Sequence, residues 1–295
     1  MTTPATTQMP TQATTPATTQ MPTQATTPAA TPVPTPMPAQ VLPATAALGV
    51  LGGMGPLASA EFLRTLYAGE WHGPEQSRPR VLLDSDPAFP DRTEAIRQGR
   101  AREMTARLED RLSQLLERGA DQVVVVCFTA HHFLPLVDPA LRGRVVSLVE
   151  TTAAELAGAT GRFLMLSTEG TRRARIFESQ PGWDAVAPRV VRPGEDDQAR
   201  VHHLIYRMKR HGPLPHEALP EVARLMRRHD CTGVILGCTE FHLVSRELTN
   251  RYGPSRTVDA LRTLAVRFSA ALPPPQPLAS SPPTSPTREG ACASR

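Results

Sequence analysis

Short apolar runs alternate along the chain with longer stretches in which apolar and polar positions recur at helical spacing. The runs Ala46–Leu51, Arg80–Asp84, Gln122–Cys127, Val145–Leu148, Arg162–Leu166, Val186–Val191, Gly233–Gly237 and Thr257–Val258 read as strands. Between them, periodicity near one turn predicts helices over 56–69, 94–118, 150–158, 170–178, 196–210, 216–229 and 259–271. VVVVC and VILGC are apolar throughout, as expected of strands covered on both faces of a parallel sheet. The alternation predicts an α/β fold of doubly wound parallel sheets.

The order divides into two similar halves. The first opens with LGVLGGMG and carries VVVVCFTAHH; the second opens with FLMLSTEGT and carries VILGCTEFH. The lobes are expected at 46–146, rejoined by 250–272, and at 147–249. Each half places a cysteine beyond a buried strand, with threonine close behind. Ligands of open α/β sheets bind at that carboxyl end, so two such ends face to face would enclose a small molecule.

Composition changes at both termini. Residues 2–13 and 14–25 are identical copies of TTPATTQMPTQA, and no charged residue precedes Glu61. Such a Thr/Pro-rich tract lacks the apolar bulk to offset the entropy of ordering, which predicts disorder over 1–45; Pro/Ser-rich 273–295 reads the same way. The tract lacks the basic start and apolar core of a secretory signal, and Met37 offers an alternative start just before the first strand. The remaining stretch of about 225 residues suffices for a sizeable core. It has no run of the roughly 20 apolar residues that a membrane span needs. The net charge of +4 is modest and arginines interleave with acids, which argues against a nucleic-acid partner. Four cysteines without paired spacing point to a reducing compartment, by default the cytoplasm. Of 32 Lys and Arg residues, only Lys209 is a lysine.

A lone buried cysteine is ordinarily a small core hydrophobe. Cys127 and Cys238 differ from that case because they occupy equivalent strand-end positions. Each is followed by hydroxyl, acid or imidazole groups (Thr129 and His131; Thr239, Glu240 and His242) expected to ionise a thiol. Two thiols across a cleft can take a proton from one face of a carbon and return one to the other. Cys231 reads as core and Cys292 as tail. Arg92, in DSDPAFPDRT, either pairs with Asp91 or Asp86, or grips a substrate carboxylate in two-pronged fashion. His131 and His132 would cap, pack or orient Cys127. The pairs His202/His203 and His211/His216 read as solvated helix faces without a metal-site pattern. Gly53-Met54-Gly55-Pro56-Leu57-Ala58 fits the G-x-G-x-x-A dinucleotide pattern, but the acid about 20 positions on that would hold a ribose is missing.

Taken together, LGVLGGMGPLASAEF, DPAFPDRT, CFTAHHF and VILGCTE resemble the aspartate racemases of the aspartate/glutamate/hydantoin racemase superfamily, across about 46–271 and in the right order. The resemblance implies two pseudo-symmetric α/β lobes with the site between them, no cofactor and no metal, and a homodimer. It implies Cys127 and Cys238 as the acid/base pair. For binding a small acidic amino acid it implies Met54, the group Asp91, Arg92 and Thr93, the turn Phe128, Thr129 and Ala130, and also Lys209 and Thr239. One departure stands out. The family pattern is Cys-Asn-Thr-Ala-His, but this chain has Phe128 where the asparagine amide would help hold the α-carboxylate, and the ring is expected to crowd the pocket. The leading expectation is an acidic amino-acid racemase. The alternatives are an isomerase or decarboxylase of the same superfamily with a bulkier substrate, and a ligand-binding descendant without catalysis.

Overall fold

The computed structural model describes residues 47–69, 71 and 73–270. Every described residue belongs to a single unit of the chain. The expectations for both tails and for Cys292 lie outside the described residues.

Two parallel four-stranded sheets organise the described chain. The first has the order β2 (Arg80–Ser85), β1 (Ala47–Gly52), β3 (Ala120–Val125), β4 (Val145–Val146). The second has β6 (Val190–Val191), β5 (Phe163–Met165), β7 (Gly233–Ile235), β8 (Thr257–Val258). Within each half the strand order is the same, so one topology occurs twice. The helices are α1 (Pro56–Ala68), α2 (Arg92–Arg97), α3 (Ala101–Glu117), α4 (Pro139–Arg142), α5 (Leu148–Ala157), α6 (Glu169–Arg173), α7 (Glu195–His211), α8 (Pro215–Arg228), α9 (Ser245–Tyr252) and α10 (Ala260–Ala270). None of the described helices is long and apolar enough to cross a membrane.

Strand alternation explains the layering. Leu48, Val50, Val124 and Val126 of the first sheet share a core with Phe163, Met165 and Ile235 of the second, together with α1, α5 and α10. The opposite face of the first sheet, through Leu51, Val123 and Val125, meets Met104, Leu108, Leu112 and Leu115 of α3. The opposite face of the second, through Leu164, Val234 and Leu236, meets Val201, Leu204, Ile205 and Met208 of α7, with α8 alongside. Residues at i, i+4 and i+8 on α3, and at i, i+3, i+4 and i+7 on α7, form one apolar stripe each, which is why those helices face inward. Each fully buried Leu or Phe contributes about 1.5–3 kcal/mol. The shared middle layer therefore binds the two sheets strongly.

Several elements differ from expectation. The helix expected over 94–118 is two helices, because Gly99 turns to φ +68 between α2 and α3. The one expected over 170–178 ends at Arg173, with Arg175 at φ +50. Of the strand expected over Val186–Val191 only the last two residues pair, since tight turns built on Trp183 and Pro188 precede them. Val145–Leu148 shortens because Ser147 caps α5 by accepting from the Glu150 N–H. Helices α4 and α9 were not expected at all.

The glycine turn between β1 and α1 is filled from within. Ser59 Oγ accepts from the Gly53 N–H at 3.2 Å and donates to the Gly55 carbonyl at 3.1 Å. The side chain thus occupies a donor that a phosphate-binding turn would offer its ligand. Gly53 itself is at φ +82, and the backbone of Asp86 stands where a Cβ would go. Gly182 has a similar φ, +79, but open space around it. Gly53→Ala should therefore lower stability by more than about 2 kcal/mol in denaturant titration, against about 1 kcal/mol for Gly182→Ala.

Between α5 and α10, burial raises the Glu155 carboxyl from 4.5 to about 7. One carboxylate oxygen, Oε1, lacks a hydrogen-bond partner. A raised folded-state pKa means that the favourable protonated form is fully present below about 4.5 and lost as pH climbs through about 7. Glu155→Gln should gain stability relative to the parent across that window, with the difference levelling off above it, as read by thermal unfolding at stepped pH.

Candidate active site

Each sheet ends the same way beyond its third strand in sequence order. Cys127 lies two residues past β3, its N–H bonded to the Val125 carbonyl at 2.8 Å, and opens a 3-10 turn over Phe128–His132. Cys238 follows β7 and opens the corresponding turn over Thr239–Val244. Both cysteines are 5% exposed. From the second turn, Thr239 Oγ1 reaches the Val126 carbonyl of the first sheet at 3.5 Å. The two strand ends therefore meet.

Arg92 is buried at the start of α2. Its Nη2 donates to the Met54 carbonyl at 2.6 Å and Nη1 to the Pro90 carbonyl at 3.0 Å, whereas Nε has no hydrogen-bond partner. Neither pairing weighed from sequence is formed. Asp86 takes Arg107 at 2.7 Å and Arg111 at 3.2 Å. Asp91 caps α2 by accepting from the Glu94 N–H at 2.9 Å, and its other oxygen accepts from the Tyr206 hydroxyl at 2.7 Å. Burial opposes the Arg92 charge, but Cys127, Asp91 and Glu240 around it more than compensate and hold its pKa up.

The expected ligand residues largely converge. Lys209 of α7 lies with Nζ 4.0 Å from Glu240 Oε1 and 4.9 Å from the centre of the Tyr206 ring. Desolvation works against its charge, yet Glu240 and both cysteines, Cys238 and Cys127, raise its pKa. One ammonium thus senses both sulfurs. Met54 is 1% exposed beside Arg92, and Ala130 is fully buried. Thr129 Oγ1 forms a triangle with Thr168 and Thr171, every edge 3.0 Å. Thr93 abuts Gly170 of α6, where a Cβ would stand 2.7 Å from its hydroxyl oxygen. That glycine lets the second half approach α2 and the Cys127 turn.

Three expectations need correction. Phe128 does not crowd a pocket: its ring is 3% exposed in the core, 5.3 Å from Phe177, which in turn stacks on Trp183 at 5.1 Å. The surroundings of Cys238 do not ionise it. Burial first, then the Glu240 carboxylate, raise this thiol well above its ordinary value, and Sγ donates to Glu240 Oε2 at 2.8 Å. His202 is not a solvated residue, since it accepts from the Glu169 N–H at 3.2 Å and stacks 4.4 Å from Tyr206. His131 does orient the Cys127 turn. It accepts the Leu148 N–H at Nε2, so Nδ1 carries the proton donated to the Cys127 carbonyl at 2.9 Å. Burial lowers its pKa to about 4 and keeps it neutral.

Glu240, Tyr206, Thr168 and Thr171 contact these residues as well, and none was singled out as a ligand from sequence. The signal for the two threonines was present, because STEGT follows β5 as GGMGP follows β1. Tyr206 carried none beyond its place one helical turn before Lys209.

Comparison with known proteins bears on the family and the fold. The family model described as Asp/Glu/Hydantoin racemase matches residues 51–267. Among solved structures, the aspartate racemase of Picrophilus torridus is 24% identical with a TM-score of 0.64, covering 77% of this chain and 94% of its own. An aspartate racemase homologue from Pyrococcus horikoshii OT3 is 18% identical with a TM-score of 0.53, covering 75% and 96%. A glutamate racemase from Thermus thermophilus, solved with beta-chloro-D-alanine, is 20% identical at 0.51, covering 78% and 81%. At these identities the structures speak for the fold. The extent of the family match establishes that this chain belongs to the Asp/Glu/hydantoin racemase family, and is an isomerase of the racemase type.

Proposed function

We propose that the protein inverts the α-carbon of a small acidic amino acid, aspartate or a close analogue, with Cys127 and Cys238 as the paired acid and base. The scheme needs no cofactor. The observation that carries it is the buried Arg92 guanidinium, which bonds main-chain carbonyls and the Cys127 side chain, pairs with no carboxylate, and stands with Lys209 beside both strand-end cysteines. A desolvated guanidinium without a carboxylate partner is poised for a two-pronged grip on one. Lys209 supplies a second positive charge, and two positive groups match a substrate with two carboxylates.

In this reading one sulfur removes the α-proton as thiolate while the other, as thiol, delivers a proton to the opposite face. The carbanion's charge spreads onto the α-carboxylate, where the Thr129, Thr168 and Thr171 hydroxyls and turn amides are the available donors. Asp91 serves through its hydrogen bond to Tyr206 rather than by touching substrate. We assign the enzyme to the cytoplasm as a homodimer, from the cysteine usage and the resemblance.

Incubation of either aspartate enantiomer in heavy water should put deuterium on the α-carbon of the product. Cys127→Ala and Cys238→Ala should each lower kcat/KM by about 10²–10⁴-fold, the usual worth of one general acid or base. An active single variant sinks the two-sulfur scheme, and absence of exchange with any acidic amino acid sinks the substrate class. Phe128→Asn separates packing from pocket chemistry. The ring's place against Phe177 predicts a loss of about 3–5 kcal/mol in denaturant titration, the usual cost of emptying a buried aromatic site.

A further inference from the structure

The two cysteine turns repeat in backbone but not in charge. Counting from each cysteine, the first turn reads Phe128, Thr129, Ala130, His131 and the second Thr239, Glu240, Phe241, His242. Where the first half has a hydroxyl, the second has a carboxylate. Glu240 is 2% exposed. Its Oε2 accepts from the Cys238 thiol at 2.8 Å, and Oε1 has no hydrogen-bond partner.

The seat of that carboxylate is the glycine turn. Gly55 has φ −158, extended backbone that any residue adopts, so its conformation does not call for glycine. Space does: the place of a Cβ at Gly55 is occupied by Glu240 Oε1. The missing side chain on one lobe makes room for the carboxylate of the other. The charged and titratable groups facing this seat are Lys209 from α7, Arg92 from α2 and the two cysteines.

We propose that Glu240, seated in the gap at Gly55, is a positioning and proton-holding residue that makes the two cysteines inequivalent, keeping Cys238 loaded as the proton donor at rest and leaving Cys127 to act first as the base. This rests on the two-sulfur reading and adds a direction to it. When substrate presents its α-proton to Cys127, the proton moves to that sulfur, and the Cys238 S–H bond breaks to give its proton to the opposite face of the carbon. That turnover leaves Cys127 as thiol and Cys238 as thiolate, the form that serves the other enantiomer: Cys238 removes its α-proton, Cys127 gives its own to the opposite face, and the resting state is restored. In the free enzyme the same rest state is regained when Cys127 releases its proton to water and Cys238 takes one from water through Glu240 Oε2, the oxygen its thiol is bonded to. Lys209 Nζ stands 4.0 Å from the other carboxylate oxygen, Oε1.

The test needs no substrate, so its failure and that of the racemase reading are separable. In a Cys127→Ala background, the thiolate ultraviolet absorbance of the full-length protein is titrated with and without Glu240→Gln. Glutamine keeps the size but removes the negative charge and the proton acceptor. The Cys238 transition should fall by more than one pH unit, equivalent to a tenfold gain in thiolate fraction. Gly55→Ala, which leaves the glutamate in place chemically but takes its seat, should move the same transition. An unchanged Cys238 transition in Glu240→Gln, or a shift there with none in Gly55→Ala, overturns the proposal. As a second readout, the pH profile of kcat in Glu240→Gln should change shape, whereas a purely structural role would scale it uniformly.

Discussion

A buried guanidinium without a carboxylate is the constraint around which the site is organised. Removing a charge from water costs several kcal/mol unless close partners offset it. Arg92 receives part of that from the Met54 and Pro90 carbonyls and part from the negative groups around it. Carbonyl dipoles hold the fork in place without neutralising it. The nearby acids are otherwise engaged: Asp86 by Arg107 and Arg111, Asp91 by the α2 cap and Tyr206. A loop with the sequence DSDPAFPDRT thus keeps its arginine unpaired by giving each aspartate another task. Binding at such a position gains more than at a neutral one, because the cost of desolvating the cation has already been met in folding.

The glycines between β1 and α1 divide their work by different physical means. Gly53 is required by a positive φ and by the backbone of Asp86; Gly55 leaves the space that the end of the Glu240 side chain fills. Ser59 then locks the turn from inside. A motif that fits a phosphate cradle as a string is a packing joint in space, and the distinction rests on what lies opposite each missing Cβ.

The fold was readable because continuous apolar runs and helical stripes are local signals. VVVVC and VILGC mark buried strands, and the α3 stripe of Met104, Leu108, Leu112 and Leu115 marks its inward face. Boundaries failed where one residue's backbone decided the matter, at Gly99 and Arg175. Candidate site residues stood out wherever a rare residue type sat in a distinctive place, as with the two strand-end cysteines and the single lysine, whereas Arg92 stood out only by its place in the DPAFPDRT loop. Phe128 was misjudged because sequence gives a side chain's bulk but not its direction. Glu240 and Tyr206 were missed as ligands because part of what places them is a contact across more than 100 positions, to Gly55 and Asp91 respectively.

Repetition of the scaffold and inequality of its two ends serve different needs. His131 and His242 stand four residues after their cysteines, yet the first is kept neutral by burial and bonds a main-chain carbonyl and amide, while the second bonds Asp259 at 2.7 Å. Burial alone would raise the Asp259 carboxyl, and its partners instead bring it down to about 2, so that carboxylate stays ionised at any ordinary pH. A symmetric scaffold lets two groups reach one carbon from opposite sides. It does not require that they rest in the same protonation state, because in the proposed reaction each turnover exchanges their roles. Enantiomers have equal free energy in water, so kcat/KM for any such catalyst is equal in both directions, however unequal its ends. Charge asymmetry at the second cysteine can only redistribute that shared value between binding and turnover. The carboxylate beside Cys238 is therefore free to differ from the threonine beside Cys127 without biasing the equilibrium.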